Sequence, residues 1–485
     1  MQSTKLMQSS NKPGRHESPA WSSNRLLAGR WLDWVMLALA GLAWASTPLL
    51  LARGLGIDGG NTQYLVALAG LTAGALLLAL AIRPPFNGIG LKLISQWQPP
   101  SLLVIIAAGL ALRLAWVLAF PATPSSDGAT YLGLAEQLLH EGHYETDGTR
   151  AYWPPGYPFF LVPWLWAFGS KLAVILSQFS LYLVGVVGCY KLAQMLSGDQ
   201  AGRLAALLFS IWPNLIALTG TPEKEALILA ILPWICMGVM RPHILPMALA
   251  GMVLGFGILV QPSLQFLLIA FAVLTPMLHG WRTVHRAILL VVCAAAVIAP
   301  WTLRNYQQFG QFVLVSTNGG YNLYRANNPL ADGGYRPRGE ISFSAYDEIE
   351  KDRAAKQHAV AWIKQNPVDF FKLVVEKEIR FMGDDSTGIY TTLKRGGGTD
   401  NPNTYLLAKL AANTWWLAVW LLIAAMVWSS RRHAAAHRII AWCWLYLFVL
   451  HSVFESNGKY HIPMVWVLCI WVACAIATQN SQRAK

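Results

Sequence analysis

Apolar stretches of roughly 20 residues recur along this chain, and no other feature of the sequence narrows its fold so far. About 20 consecutive apolar residues cross the hydrocarbon of a bilayer as a helix, whereas a barrel strand needs only about 9–11. Lipid offers the backbone no hydrogen-bond partner, so a run of that length closes its own bonds as a helix. Twelve such candidates can be marked: 32–51, 63–82, 101–120, 171–192, 203–219, 224–240, 244–260, 263–279, 286–303, 405–428, 438–454 and 461–478. Charged residues make up 13% of the 485, about half the share expected of a soluble domain. The expectation is an all-α integral membrane protein, a polytopic bundle of about 12 transmembrane helices.

The formal net charge of +13 would suit a nucleic-acid binder, but its placement argues otherwise. With the N-terminus inside, the cytoplasmic loops hold Arg83, Lys92, Arg203, Arg241, Arg282, Arg286, Arg431, Arg432 and Arg438. The opposite short loops hold only Arg53, Lys224 and Lys459. That is the positive-inside pattern of membrane topology, and it implies no nucleic-acid partner. Residues 1–31 read as a disordered cytoplasmic tail. The loop 121–170 and the segment 304–404 both face outward. In the latter, helices are expected over Tyr346–Gln365 and from Pro367, the second with Phe370, Phe371, Val374, Val375, Ile379 and Phe381 on its apolar side. This segment reads as a small α or α+β cap. The six cysteines lie in apolar runs without Cys-x-x-Cys spacing, so they read as packing residues. No internal repeat of the kind common in alternating-access transporters is visible.

The loop 121–170 carries the strongest chemical signal. Asp127 follows a span that ends at Phe120, and a helix pattern (Tyr131, Leu134, Leu138) leads to Trp153-Pro154-Pro155-Gly156-Tyr157-Pro158. An acid at the mouth of a membrane helix is costly and so a functional candidate, although Asp also suits a helix N-cap. Two more pieces accompany it. One is Pro300-Trp301-Thr302-Leu303-Arg304-Asn305-Tyr306 leading to Ser316-Thr317-Asn318-Gly319-Gly320. The other is Lys459-Tyr460-His461 before Pro463.

Together these motifs resemble the polyprenyl-phosphate-sugar-dependent transferases of the glycosyltransferase C (GT-C) superfamily. That group includes protein O-mannosyltransferases and lipid A aminoarabinose transferases. The resemblance covers roughly residues 101–478, with core spans over 101–303, the cap over 304–404, and C-terminal spans with a short tail over 405–485. The two helices of 32–100 look like an addition in front. It implies a membrane glycosyltransferase of a bacterial inner membrane, with its site facing the periplasm. A sugar would pass, with inversion, from a polyprenyl-phosphate-linked donor to a lipid, glycan or protein acceptor. Alternatives are an oligosaccharide ligase or oligosaccharyltransferase, and, from another class, a lipid or sugar translocase without chemistry.

The resemblance makes Asp127 the base or a ligand for a divalent metal. Relatives often carry a second acid beside it; here Gly128 and Ala129 follow. Glu223 or Glu225, at the start of a span, would supply a carboxylate from a second loop, with a helix-dipole role as the plain alternative. Arg304, Lys459 and Tyr460 would hold the carrier phosphate, since Arg grips phosphate as a fork and Lys as a point charge. For Arg304 the plain alternative is an interfacial anchor. Arg113, deep in a span, would pair with an acid or the phosphate, and Tyr131 and Tyr157 would line the substrate site. His140-Glu141-Gly142-His143 lacks zinc-helix spacing. Gly396-Gly397-Gly398 reads as a loop, and Asp384-Asp385 as a solvated turn.

Overall fold

The computed structural model describes residues 26–56, 60–82, 97–335, 339–429 and 436–483. Most of the expected N-terminal tail and the basic residues Arg83, Lys92, Arg431 and Arg432 lie outside them. Among the described residues there is no strand, only an isolated bridge between Thr146 and Thr149. The protein is a polytopic helical membrane protein, and the cap is built of helices.

The elements run α1 (Trp31–Gly54), α2 (Gly60–Ile82), α3 (Leu102–Ala119), α4 (Asp127–His140), α5 (Gly156–Ser197), α6 (Asp199–Ser210), α7 (Pro213–Ala217) and α8 (Lys224–Met240). There follow α9 (Ile244–Val260), α10 (Leu264–His279), α11 (Val284–Phe309), α12 (Gly319–Ala326), α13 (Glu348–Gln365) and α14 (Pro367–Met382). The chain closes with α15 (Pro402–Ser429), α16 (Ala441–Val453) and α17 (Val465–Arg483).

Among the described residues, seven helices are long and apolar enough to cross a membrane, or eight if one bent pair counts as a span. The remaining expected spans fall on shorter helices such as Ile244–Val260 and Leu264–His279. The span placed at 203–219 is that bent pair, broken by 58°, where Pro213 enters a new helix at its first turn. The loop expected to run to 170 ends earlier, because helix begins at Gly156 and kinks at Gly169, whose φ is 67°. Glycine tolerates that backbone where a side chain would not.

The last span organises the bundle. Its sequence from Val465 to Ala477 is apolar on every side, the mark of a helix buried all round, and 94% of the Gly458–Thr478 window is buried. The comparable window of α2 is 11% buried. α17 packs against α5, α6 and α15. A tight 3-10 turn, Gly458–Met464, sits at its entrance. α1 packs on α14 and α15, and its Asp33 grips Arg438 at 2.7 and 2.8 Å. Arg438, expected in a cytoplasmic loop, is therefore buried in a bidentate pair of the strong kind. All six cysteines are free.

The cap helices match the expected boundaries closely, but α14 turns a different side inward. Lys377, Glu378, Phe381 and Met382 are buried, while Phe371 and Val375 are exposed. The loop between α4 and α5 is tied to the start of α13 by a carboxylate. Glu348 accepts from the Arg150 and Ala151 backbone N–H groups and from Thr317 Oγ1.

Candidate active site

Three separate connections converge on one ammonium group. Lys459 Nζ lies 3.1 Å from Asp127 Oδ2, 3.1 Å from Glu223 Oε2 and 3.7 Å from Glu225 Oε1. Asp127 opens α4, Glu223 precedes α8, and Lys459 stands in the turn before α17. Three stretches read from the sequence as facing the same side thus meet. Burial is graded across the cluster. The side chain of Glu225 is 2% exposed, Glu223 7%, Lys459 18% and Asp127 44%. Asp127 is the member that solvent reaches.

Local backbone explains the placement. Ser126 adopts φ 51° and ψ −132°, a region that costs a non-glycine residue about 1–3 kcal/mol and concentrates at functional sites. Its hydroxyl lies 3.4 Å from Asp127 Oδ1. Asp127 is the first residue of α4 and not its cap. At Gly128 a Cβ would come within 3.0 Å of the Pro222 carbonyl oxygen. That close approach brings α4 onto the Glu223 turn, and it explains why no second acid stands there. Gly458 is tighter still, since a Cβ would run into the Asp384 carbonyl. We expect Gly458→Ala to lose about 1–3 kcal/mol, the usual cost of overpacking, and to lower activity by displacing Lys459. Thermal unfolding alongside a transfer assay checks this.

The exposed acid and its buried neighbour are driven apart. The Lys459 ammonium, foremost, holds the Asp127 carboxyl down at about 2 against the opposing effect of burial. Burial raises Glu223 to about 7, opposed by Lys459 and assisted by Glu225. Such a split is what separates a base from a proton-holding acid. The sign for stability follows from linkage. Folded Glu223 holds its proton above the unfolded value of 4.5, so its burial costs stability as pH rises from about 4.5 to about 7. Glu223→Gln is therefore expected to flatten the fall in unfolding temperature across that window. Parallel curves for the two proteins would contradict it.

The other sequence-predicted residues separate into two groups. Tyr131 and Tyr157 are fully buried behind Asp127, 5.5 Å apart edge to face, with Gln178 Nε2 donating to the Tyr157 hydroxyl. They back the acid and do not line its mouth. Lys224 Nζ stands 5.8 Å over the Tyr131 ring. Tyr460 adjoins the cluster, and its hydroxyl donates to Glu455 at 2.6 Å. Arg304 is not in contact with the cluster. It donates to the Arg150 and Tyr144 carbonyls and stacks on Trp301, so it holds the loop between α4 and α5. Arg113 donates to the Gly109 and Ser210 carbonyls beneath the Tyr182 ring, a packing role far down α3.

Several residues escaped the sequence reading. Asp385, expected in a solvated turn, is fully buried and accepts from Trp212 Nε1 and Asn214 Nδ2, with His461 Nε2 at 3.1 Å. His461 Nδ1 donates to the Phe381 carbonyl, and its ring stacks on Trp416. This knot fixes the turn that carries Lys459. Arg325 and Glu455 also escaped, although an acid closing the apolar run at Phe454 was a visible signal. Tyr152, beside Arg325, has its hydroxyl pushed up to about 12 by burial, with the guanidinium opposing.

The described residues gather no set of side chains arranged for a divalent metal: no group of three His, Cys, Asp or Glu among them could hold one. The three gathered carboxylates instead surround Lys459, whose ammonium takes the place such a cation would need.

No family model matches the sequence, and no curated protein does. Solved structures are similar in part, and three of them follow. ArnT from Cupriavidus metallidurans bound to undecaprenyl phosphate aligns at 11% identity and TM-score 0.41, covering 79% of this chain and 77% of that one. The Archaeoglobus fulgidus oligosaccharyltransferase in the apo form gives 14%, 0.48, 79% and 50%. The archaeal oligosaccharyltransferase AglB from the same organism, in complex with an inhibitory peptide and a dolichol-phosphate, gives 12%, 0.47, 82% and 51%. The chain thus spans about half the length of the oligosaccharyltransferase. At this level an activity does not travel with the fold, and function rests on the site.

Proposed function

We propose that this protein is a membrane glycosyltransferase of the GT-C type, moving a sugar from a polyprenyl-phosphate-linked donor to an acceptor on the periplasmic face of a bacterial inner membrane. The observation that carries this reading is the half-exposed Asp127 carboxylate, ionised against Lys459 with two buried acids behind it. In the reaction, Asp127 Oδ1 or Oδ2 takes the proton of an acceptor hydroxyl or amine. The acceptor atom then bonds to the anomeric carbon from the face opposite the phosphate, giving inversion. The bond from that carbon to the phosphate oxygen breaks, and its electron pair leaves on the carrier. Lys459 stabilises the departing phosphate as a point charge. A proton on Glu223 removes one competing negative charge from Lys459 and so frees it for that task. Tyr460 keeps the neighbouring Glu455 in place. Arg304 positions the loop that carries Asp127, and the 304–404 cap with that loop shapes the acceptor cleft. Residues 32–100 serve as an added pair in front of the core.

The test uses purified protein in lipid vesicles with radiolabelled polyprenyl-phosphate sugars and a membrane acceptor fraction, with and without chelator. Transfer that survives chelation is expected. Absence of transfer with every common sugar would overturn the reading, and transfer abolished by chelator would overturn its metal-free form.

A further inference from the structure

Beside Lys459 a second polar group continues away from the acid cluster, and no step of the reaction above uses most of it. Arg325 Nη2 donates to both oxygens of Glu455, at 3.3 and 3.1 Å, and to Asn322 Oδ1 at 2.9 Å. Glu455 also accepts from the Tyr460 hydroxyl. The Arg325 guanidinium lies 4.5 Å from the Tyr335 ring centroid and 5.5 Å from that of Tyr321. Tyr152 completes the surround, close enough for its hydroxyl to feel both Arg325 and Glu455. From Tyr152 the aromatic wall runs back through Trp153 to Tyr131, directly behind Asp127.

Two atoms of this group lack the bonds their burial demands. Arg325 Nε, a donor, is buried without a partner. His451 stacks on Tyr460 with ring centroids 4.2 Å apart, and its Nδ1 donates to the Glu455 carbonyl. Its Nε2 is therefore an acceptor, and it too is buried without a partner. Buried polar groups left unpaired cost about 1–3 kcal/mol each and call for an explanation. Both atoms are closed off from the surface, so they are not themselves contacts for a ligand; what a ligand meets here is the rim of the group, led by the exposed Tyr335.

The chemistry narrows further. Arg325 and Glu455 neutralise one another, so a charged ligand gains nothing from either without breaking their pair. Aromatic rings flank them, and Tyr335 is 57% exposed. A pyranose has apolar C–H faces that lie flat on such rings, and hydroxyls at its rim that reach a donor–acceptor pair. Apolar walls with a few convergent polar groups are the usual build of a small-ligand site.

We infer that Arg325 and Glu455, walled by Tyr152, Tyr321, Tyr335 and Tyr460, form a subsite for an uncharged pyranose ring. The inference deepens the proposed function, since it names the sugar class handled beside the reacting centre. Its occupant is the transferred sugar or a sugar on the acceptor, and both present the same ring.

Saturation-transfer NMR on the full chain in lipid nanodiscs tests it. The probes are the methyl pyranosides of glucose, mannose and galactose, with methyl glucuronide and glucosamine as the charged counterparts. At least one neutral pyranoside is expected to bind more tightly than both charged sugars. Tyr335→Ala is expected to weaken it about 3–10-fold, the loss of one stacking contact, and Tyr335→Phe to restore it. Tyr335 is exposed, so neither variant threatens the fold. Competition by a polyprenyl-phosphate sugar assigns the ring to the donor, and its failure to compete assigns it to the acceptor. No binding of any neutral pyranoside, tighter binding of a charged one, or equal binding by Tyr335→Ala would overturn the subsite. The proposed function fails separately: a chain that binds pyranosides but transfers no sugar keeps the subsite and loses the transferase reading.

Discussion

Replacing Asp127 with Asn is expected to lower sugar transfer by about 10²–10⁴-fold, the span usual for loss of a positioned general base. Asn keeps the size of the side chain and its place on the strained Ser126–Asp127 junction. What disappears is the proton acceptor. Lys459 retains Glu223 and Glu225, so the cluster stays assembled and donor affinity should change by only a few-fold. The signature is thus a fall in kcat with KM for the donor nearly unchanged, which is the pattern of an interaction used in the transition state. A fall confined to KM would make Asp127 a binding group. The acid limb should not come from Asp127 either: Lys459 keeps it ionised far below neutrality, so any loss of rate between pH about 5 and 8 belongs to another group.

Lys459→Met should have the largest effect on the protein as a whole. Glu223 and Glu225 are nearly inaccessible, and Glu225 Oε2 already has no partner. Removing the ammonium in contact with both leaves uncompensated charge in a buried site, which typically costs about 3–5 kcal/mol. The acids will lower that cost by taking up protons, so the variant should be least stable at high pH. Lys459→Arg should recover most of the stability. A triple variant, Lys459→Met with Glu223→Gln and Glu225→Gln, should fold yet fail to hold the carrier phosphate. That separates the structural role of Lys459 from its chemical one. Unfolding temperatures in detergent, measured from pH 5 to 9, read the first; binding of polyprenyl phosphate reads the second. A triple variant that binds the carrier as well as the native chain would remove Lys459 from the phosphate site.

How far the sequence foretold this depends on the range of the interaction. Hydropathy marked the helices because the bilayer imposes a length and forbids open backbone. It could not tell which helix lies at the centre, since lipid and protein interior are equally apolar; only the all-round apolar run from Val465 to Ala477 hinted at α17. Motif resemblance picked out Asp127, Glu223, Glu225 and Lys459, four residues from three distant stretches that the fold brings together. It also offered Arg304, and depth within a span offered Arg113; the structure commits both to backbone carbonyls. A guanidinium at a helix end looks the same in sequence whether it waits for phosphate or ties a loop. Asp385 misled for a related reason. An Asp-Asp pair after a glycine reads as a turn, and its partners Trp212, Asn214 and His461 are each more than 70 residues away. Gly128 is a different case. Its meaning, close approach to Pro222, depends on a contact between two loops that no local pattern records.

The claim on which the rest depends is that Asp127 and Lys459 split a lipid-linked sugar and do not merely pass it across the membrane. The most direct measurement follows the carrier. Vesicles containing the protein and a labelled polyprenyl-phosphate sugar are sampled for free polyprenyl phosphate and for transferred sugar over time. The account predicts one carrier phosphate freed for each sugar transferred, with both falling together in Asp127→Asn. Intact donor appearing on the opposite leaflet with no free carrier, at the same rate in Asp127→Asn, would contradict it.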